Sequence, residues 1–358
     1  MKKHYSKNVD LIEILKIVAP GTCLREGLDN ILKAGTGAII VIGDDLEILD
    51  GGFYINKDYT ASQLYELAKM DGAIILSSDR KKILYAGAQL IPDSKILSLE
   101  TGTRHRNAER VAKQTKKLVI CISQRRNIIT LYKEDFKYIL KDPSTIINKA
   151  NQALQILDRY KSVLETAKNN LSLLEFEDIV TLYDVSYVIQ RTEMVMRIAK
   201  EIEKYIYELG NEGRLISMQL DELTSNIESD GLFVIEDYME STLDKTSLEI
   251  LKDIKKLSNE DLMNIEAIFN KLGYKNLKNY ETHISPKGYR IISKIPRVPI
   301  TVVNNLVNEF NDFQGILKAT MSQLDDVDGI GTIRARSIIQ GLKRAQEQLI
   351  VDNKQNLR

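Results

Sequence analysis

The feature that most limits the fold of this chain is a long interval without proline. No proline occurs between Pro143 and Pro286, and only four glycines interrupt that interval. Apolar side chains recur there at three- and four-residue spacing, the period of an amphipathic helix, as in Val195, Ile198 and Ile202. We therefore predict an all-α middle domain over residues 144–288, whose charged faces meet solvent and which holds no catalytic cluster.

The residues before this interval, 1–143, alternate between two kinds of pattern. Short apolar runs bounded by turn residues are typical of buried strands, and helical periodicity appears between them. The predicted strands are Ala38–Ile42, Ala73–Leu76 paired with Ile83–Ala86, and the hairpin of Leu118–Ser123 with Ile128–Tyr132. Since strands, hairpins and helices are interleaved, the first domain is predicted to be α+β with a mixed sheet.

A cationic stretch, Thr101–Arg110, is the most distinctive motif of this first domain. We predict a helix from Ala108 to about Lys117, with Asn107 as its N-cap. Cationic donors that lead into a helix N-terminus form an anion site, because guanidinium groups, free N–H groups and the helix dipole converge there. Phosphate is the predicted anion; a solvated basic loop is the alternative.

Asp71 supplies a carboxylate about thirty residues before this loop, at a predicted helix-to-strand junction. It could hold a divalent metal or accept a proton, and Gly72 would let a ligand approach the backbone. An Asp-Gly pair is more often a simple turn. Together with the phosphate-type loop, however, it matches the needs of nucleotidyl transfer. A P-loop is excluded because the chain has no GxxxxGK[ST] motif.

The last domain, residues 289–358, contains the turn Gly329-Ile330-Gly331 followed by a basic helix. This pattern matches a helix-hairpin-helix motif, whose backbone N–H groups hold a DNA phosphate without reading bases. The alternative is a helical hairpin used for packing or oligomerisation, and Ile295–Pro299 gives a weaker signal for another hairpin. The residues predicted to contact DNA are Gly329, Gly331, Arg334, Arg336, Lys343 and Arg344.

Composition limits the other possibilities. Lysine and arginine (50) balance aspartate and glutamate (50), so any nucleic-acid surface must be a local patch. The two cysteines form neither a disulfide framework nor a zinc motif. No signal-type segment or run of membrane-spanning length is present, so we expect a cytoplasmic protein without a membrane partner.

Several strings together resemble the diadenylate cyclase family. They are Asp71-Gly72-Ala73, Gly102-Thr103-Arg104-His105-Arg106 and Ala108-Glu109-Arg110. The helical middle and the helix-hairpin-helix end are similar to a branch of this family that scans DNA, so the resemblance covers essentially the whole chain. One position departs from the family pattern: Asn107 stands where threonine is common, so a phosphate contact from this side chain is in doubt.

The resemblance implies a reaction in which two ATP condense to cyclic di-AMP with loss of two pyrophosphates. Two cyclase domains would face each other, and each 3′-hydroxyl would attack the α-phosphate of the other nucleotide. Mg²⁺ or Mn²⁺ would bind at Asp71, which is implied to be catalytic together with Arg104, His105 and Arg106. The residues implied to contact ATP are Gly72, Ala73, Leu90, Thr103, Arg104, His105, Arg106, Asn107 and Ser123.

The resemblance also implies a homo-octamer whose synthesis is restrained when the last domain binds branched DNA such as Holliday junctions. Two alternatives come from other functional classes. One is a DNA-junction scaffold that merely binds a nucleotide, although a scaffold has no need of a metal-binding carboxylate. The other is a DNA repair enzyme built on the hairpin motif, for which the chain offers no catalytic Lys-Asp-Gly string.

Overall fold

The computed structural model describes residues 11–44, 46–274 and 281–356 of the chain. These residues form two compact units, one of residues 1–152 with 202–218 and the other of residues 153–201 with 219–358. Within the described residues, no helix combines the length and apolar character that crossing a membrane would need.

The first unit is built on one mixed sheet of eight strands. Its strand order is β2-β5-β4-β1-β6-β7-β8, with β3 paired to β5; β1 and β4 are parallel and the other pairs are antiparallel. The elements of its N-terminal part are α1 (residues 11–17), α2 (Cys23–Lys33), β1 (Ile39–Ile42), β2 (Leu49–Asp50), β3 (Phe53–Asp58), α3 (Ala61–Leu67), β4 (Ala73–Leu76), β5 (Lys82–Leu90), α4 (Thr103–Thr115), β6 (Leu118–Ser123), β7 (Ile128–Lys133) and β8 (Phe136–Ile139).

The central strands are apolar throughout because both faces of the sheet are covered. Side chains alternate between faces along a strand. Ile40 and Ile42 belong to a core cluster with residues of α2 and α3, whereas Ile39 and Val41 belong to a cluster with residues of α4. The predicted strands and both predicted pairings are confirmed.

Helices make up the described residues after β8. They are α5 (Pro143–Glu177), α6 (Leu182–Leu209), a 3₁₀ turn (Gly210–Gly213), α7 (Arg214–Thr224), α8 (Ile227–Tyr238), α9 (Ser247–Lys255), α10 (Asn259–Met263), α11 (Ile265–Leu272), α12 (Tyr289–Ile292), α13 (Ile300–Phe310), α14 (Phe313–Lys318), α15 (Met321–Asp325) and α16 (Thr332–Asn356). The prediction of a mixed sheet followed by a helical region is therefore confirmed. The helical interval begins at Pro143, as expected of proline in the first turn of a helix.

Two helical hairpins of similar geometry occur near the end of the chain, between α12 and α13 and between α15 and α16. In the later one Gly329 has φ +81°, and Ile330 N donates to Val327 O at 3.0 Å. In the earlier one Arg297 has φ +68°, and Val298 N donates to the carbonyl three residues before it at 3.4 Å. Ile295–Pro299, the segment with the weaker of the two sequence signals, thus also forms a turn between helices.

Candidate functional site

A cleft of about 570 Å³ opens in the first unit where β4 begins, β5 ends and α4 begins. Most of the predicted ATP contacts line it, namely Gly72, Ala73, Leu90, Thr103, Arg104 and Asn107, and so does the predicted metal ligand Asp71. The fold therefore brings the Asp-Gly-Ala string and the start of the cationic stretch to one place, although they are distant in sequence.

Close packing of the backbone at the edge of this cleft requires a glycine at position 72. It has φ +106°, and a Cβ there would lie 2.6 Å from the carbonyl carbon of Gly87 in β5. We predicted that glycine lets a ligand approach. Gly72 lines the cleft, so a ligand approach there stays a prediction. The structure adds a close approach by the neighbouring strand, which fixes the position of Asp71 just before Gly72.

Helix α4 begins earlier than predicted, and the prediction of Asn107 as its N-cap is wrong. The helix starts at Thr103, and its N-cap is Gly102, which has no side chain to accept a hydrogen bond from the first turn. Cap preferences misled the prediction because they assume that a side chain satisfies the first N–H groups. Here Thr103 and Arg104, in the first turn, line the cleft, so those N–H groups can serve an anion.

The side chain of Asn107, whose contact with phosphate was in doubt, makes a hydrogen bond within the protein. Its Nδ2 donates to the carbonyl oxygen of Leu90 at 3.3 Å, which ties the second turn of α4 to the end of β5. Both residues line the cleft. Asn107 therefore orients the Leu90 backbone, which is itself an implied contact of the nucleotide base.

Arg104 lies against Gly37, in the segment between α2 and β1. A Cβ on Gly37 would lie 1.9 Å from Arg104 Nη1 and 3.1 Å from the carbonyl oxygen of Ile122. Since no side chain fits in that space, Gly37 provides the room that the guanidinium occupies. No motif marks this glycine, because its role depends on a contact between distant segments.

His105 is not among the lining residues but is buried behind the cleft, with 7% of its surface exposed. Its Nδ1 lies 2.9 Å from the hydroxyl oxygen of Tyr132, and that hydroxyl donates to Glu100 Oε1 at 2.8 Å. Glu100 also forms an ion pair with Lys137. Because the Tyr132 proton goes to Glu100, His105 must donate from Nδ1, which leaves Nε2 as an acceptor without a partner among the described residues.

The ionisation of this cluster follows from its burial. Burial lowers the pKa of His105, against the opposing effect of Glu100. Burial would raise the pKa of Glu100, but hydrogen bonds from Lys137 and Tyr132 outweigh it and hold that pKa below its usual range. The neutral imidazole and the ionised carboxylate thus anchor the middle of the Arg-His-Arg string to the sheet.

Two other predicted ATP contacts are not among the lining residues. Arg106 Nε donates to the carbonyl oxygen of Glu100 at 3.3 Å, and the Ser123 hydroxyl accepts from Arg126 N at 3.2 Å. Several lining residues belong to no motif and were not predicted. They include Thr36, Gly37, Lys69, Met70, Gln89 and Gln124.

The protein atoms available to a metal are few. Within the described residues, no group of three or more His, Cys, Asp and Glu side chains could hold an ion. Mg²⁺ commonly binds one or two carboxylates and takes its remaining ligands from water and substrate phosphates. Asp71, exposed at the cleft, fits that mode as a single protein ligand completed by a phosphorylated substrate.

Gly329 and Gly331 lie in the second helical hairpin, and the other predicted DNA contacts lie on α16, with Lys343 and Arg344 about three turns beyond its start. A Cβ at Gly331 would meet no atom within 4 Å, whereas Gly329 occupies a left-handed turn. Arg334 Nη1 donates to the Gly329 carbonyl oxygen at 2.6 Å, so this side chain braces the hairpin. Three further cations of α16 are exposed, namely Arg336, Lys343 and Arg344.

Comparison with known proteins gives family matches for the sheet domain and for the helical region that follows it. The family described as "DisA bacterial checkpoint controller nucleotide-binding" matches residues 25–136, and "DisA bacterial checkpoint controller linker region" matches residues 140–281. The "DNA integrity scanning protein DisA" of Acetivibrio thermocellus is 59% identical over 352 residues, which cover 97% of this chain and 98% of that protein. Its namesake in Clostridium kluyveri is 57% identical over 351 residues, covering 97% of this chain and 99% of that protein.

Proposed function

Because the chain belongs to the DisA family and its N-terminal domain is a diadenylate cyclase, we propose that the cleft binds ATP and that two such clefts produce cyclic di-AMP. In each half-reaction a 3′-oxygen attacks the α-phosphorus of the other nucleotide. The bond between the α- and β-phosphates breaks, pyrophosphate leaves, and the hydroxyl loses its proton. Two half-reactions close the ring and release two pyrophosphates.

The observation that carries this proposal is the pairing of charges in one cleft. Asp71 lies at one edge, and Arg104 lies with the open first turn of α4 at another. The helix N-terminus and the guanidinium suit a polyphosphate, since both offer N–H donors and positive charge. Asp71 is then the group that can draw the proton from a hydroxyl.

A divalent ion, Mg²⁺ or Mn²⁺, would be held by Asp71 with the substrate phosphates. When bound, such an ion neutralises charge on the phosphates and lowers the pKa of a coordinated hydroxyl. The remaining work belongs to the protein. Arg104 and the amides of α4 orient the triphosphate, Asn107 holds the Leu90 backbone for the base, and His105 with Tyr132 keeps this segment in place.

Each cleft contains one Asp71 and one cationic edge, whereas the cyclic product has two equivalent phosphodiester bonds. Two copies related by a two-fold axis would meet that requirement, because each then presents the same surface to the other. We extend the proposal to a homo-octamer assembled from such pairs, with domains at residues 1–143, 144–288 and 289–358.

The same proposal assigns DNA sensing to the last domain. The hairpin at Gly329–Gly331 and the exposed cations of α16 suit contacts with the phosphate backbone, and they would accept branched DNA such as a Holliday junction without base specificity. Binding there would restrain synthesis in the cyclase domain. The names of the relatives, which refer to DNA integrity scanning, support this assignment.

The test of the cyclase assignment is Asp71→Asn. This change keeps the shape of the side chain and removes its charge, and loss of a general base alone lowers rates by about 10²–10⁴-fold. Purified protein is incubated with ATP and Mg²⁺ or Mn²⁺, and cyclic di-AMP is quantified by mass spectrometry. Asp58→Asn, at an exposed carboxylate in β3, is the matched control and should retain activity. Near-normal synthesis by Asp71→Asn would overturn the assignment.

A further inference from the structure

A second large cavity, of about 710 Å³, lies within the unit that contains residues 153–201 and 219–358. It is bounded by α5, by the hairpin that follows α12, and by the middle of α16. Its lining includes part of the Ile295–Pro299 hairpin and the predicted DNA contact Arg344. No motif of the sequence predicts a small-molecule site there, and cyclic di-AMP synthesis makes no use of it.

The charge of this cavity is one-sided. Its lining contains four cationic side chains, and none of the lining residues, all of which lie in the described part of the chain, carries a carboxylate. The four cations are Arg290, Lys294, Arg297 and Arg344. Such a concentration of one sign in a concave site raises the local concentration of ligands of the opposite charge.

Two of the four cations, Arg290 and Lys294, have acidic side chains nearby. Arg290 is 1% exposed and forms a buried ion pair with Glu175. Lys294 lies 3.5 Å from Asp230, but Asp230 is already paired with Lys168 at 2.5 Å. Burial lowers the pKa of Lys294, Asp230 opposes this, and the neighbouring Arg290 and Lys168 lower that pKa further.

The side chains of the outer pair, Arg297 and Arg344, make no hydrogen bond or ion pair with any other described residue. The Nε–H of Arg290 is buried and likewise lacks an acceptor within the described parts of the chain. A buried donor without a partner is costly; because this atom is shielded from solvent, however, the exposed outer arginines are the groups that a ligand can reach.

The remaining walls are partly apolar. Phe176, Ile295 and Leu349 line the cavity together with the amides of Gln340 and Gln348. A Cβ on Gly341 would lie 2.7 Å from Ile295, so close contact between α16 and the hairpin fixes the shape of this side. Ligand sites for small molecules commonly combine such apolar walls with a few polar groups, in cavities of about 300–1,000 Å³.

We propose that this cavity binds a small phosphate-bearing molecule with an apolar part, of about nucleotide size. The outer arginines would hold the phosphate, and the apolar wall would pack against the rest of the ligand. A DNA duplex fits less well. A concave cavity of this size encloses a small ligand better than it accepts the rigid, convex backbone of a double helix.

The test is calorimetric titration of the full-length protein with inorganic pyrophosphate. Because pyrophosphate also suits the cyclase cleft, wild type is compared with Arg104→Ala, Arg344→Ala and Lys343→Ala. Lys343 is the matched control: it precedes Arg344 on α16, is exposed and cationic, and does not line the cavity. Both α16 positions are exposed, and circular dichroism verifies folding.

We expect two pyrophosphate sites per chain in wild type and in Lys343→Ala. Arg344→Ala should lose one of them or bind it about tenfold or more weakly, the loss expected for one charge-assisted hydrogen bond. Arg104→Ala should keep the site that Arg344→Ala loses. A site lost in Arg344→Ala alone would support this cavity even if the cyclase cleft bound nothing.

Unchanged pyrophosphate binding in Arg344→Ala would overturn the proposal. A duplex titration in parallel identifies the alternative. If Arg344→Ala and Lys343→Ala weaken DNA binding equally and neither changes pyrophosphate binding, the cavity belongs to a DNA surface.

Titration with AMP in the Arg104→Ala background tests the apolar wall, because AMP should bind more tightly than inorganic phosphate. Equal affinities for AMP and phosphate would overturn the role proposed for the apolar wall.

Discussion

At the scale of single residues, the position of Arg104 depends on the absence of a side chain at Gly37. We predict that Gly37→Ala displaces the guanidinium, because the new Cβ would overlap Nη1 at 1.9 Å. The affinity for a non-hydrolysable ATP analogue should fall by about tenfold, as for one lost charge-assisted hydrogen bond. Gly331→Ala is the control, since a Cβ there would meet no atom within 4 Å and Gly331 does not line the cleft. Equal affinities in the two variants would contradict this role.

His105 gives a prediction for the dependence of stability on pH. Burial lowers its pKa in the folded chain, whereas the unfolded side chain has an ordinary pKa of about 6.5. As the pH falls below about 6.5, the unfolded chain takes up a proton before the folded chain does, so the free energy of unfolding decreases toward the folded pKa and is fully retained above 6.5.

His105→Gln should remove this dependence, because the amide cannot take up a proton but can still donate to Tyr132. Urea unfolding between about pH 5.5 and 7.5 measures the slope. Equal slopes in His105→Gln and wild type would show that another group is responsible.

At the scale of elements, α4 and the hairpin between α15 and α16 have one structural feature in common. Each presents backbone N–H groups at a place where glycine leaves the approach open, as Gly102 does before α4 and Gly331 before α16. Anions suit such helix starts because the N–H groups and the helix dipole act together. In the proposed function, the N–H groups at the start of α4 bind the nucleotide, and those at the start of α16 would bind DNA.

Gly331→Leu separates the DNA contact from the folding of the hairpin. A Cβ there would meet no protein atom within 4 Å, so the hairpin should fold while the leucine side chain keeps the DNA backbone away. We expect junction binding to be lost even at low salt, where a variant that lacks only one exposed charge would recover. Basal synthesis should persist, and added branched DNA should no longer inhibit it.

Fluorescence anisotropy with a four-way junction and a duplex of equal length, at two salt concentrations, measures this loss. Lys343→Ala is the charge-only control, since Lys343 is exposed on α16. Undiminished junction binding and inhibition in Gly331→Leu would move the DNA site to another surface.

At the scale of the whole molecule, the proposed chemistry requires two chains for one product. Mixing equal amounts of wild type and Asp71→Asn, with exchange of subunits, should leave about one quarter of the wild-type activity for the same total protein, since random pairing makes about one pair in four fully competent. Independent clefts would leave about one half. Cyclic di-AMP is measured before and after exchange, and an unchanged rate would indicate a self-sufficient monomer.

The sequence alone determined the elements and the chemical types in the cleft. Apolar runs such as Ile39–Ile42 and the proline-free interval after Pro143 are local signals, because strand and helix periods are read from neighbouring residues. The Asp-Gly-Ala string and the cationic stretch were also evident as motifs, and Asp71 and Arg104 indeed line one cleft.

Only the tertiary structure decided what each of those side chains contacts. It placed His105 behind the cleft, gave Gly37 its role beside Arg104, and bound Asn107 to Leu90. The cationic cavity on α16 was equally hidden from the sequence. These features depend on contacts between segments that are far apart in the chain, and packing, unlike local periodicity, leaves no pattern among neighbouring residues.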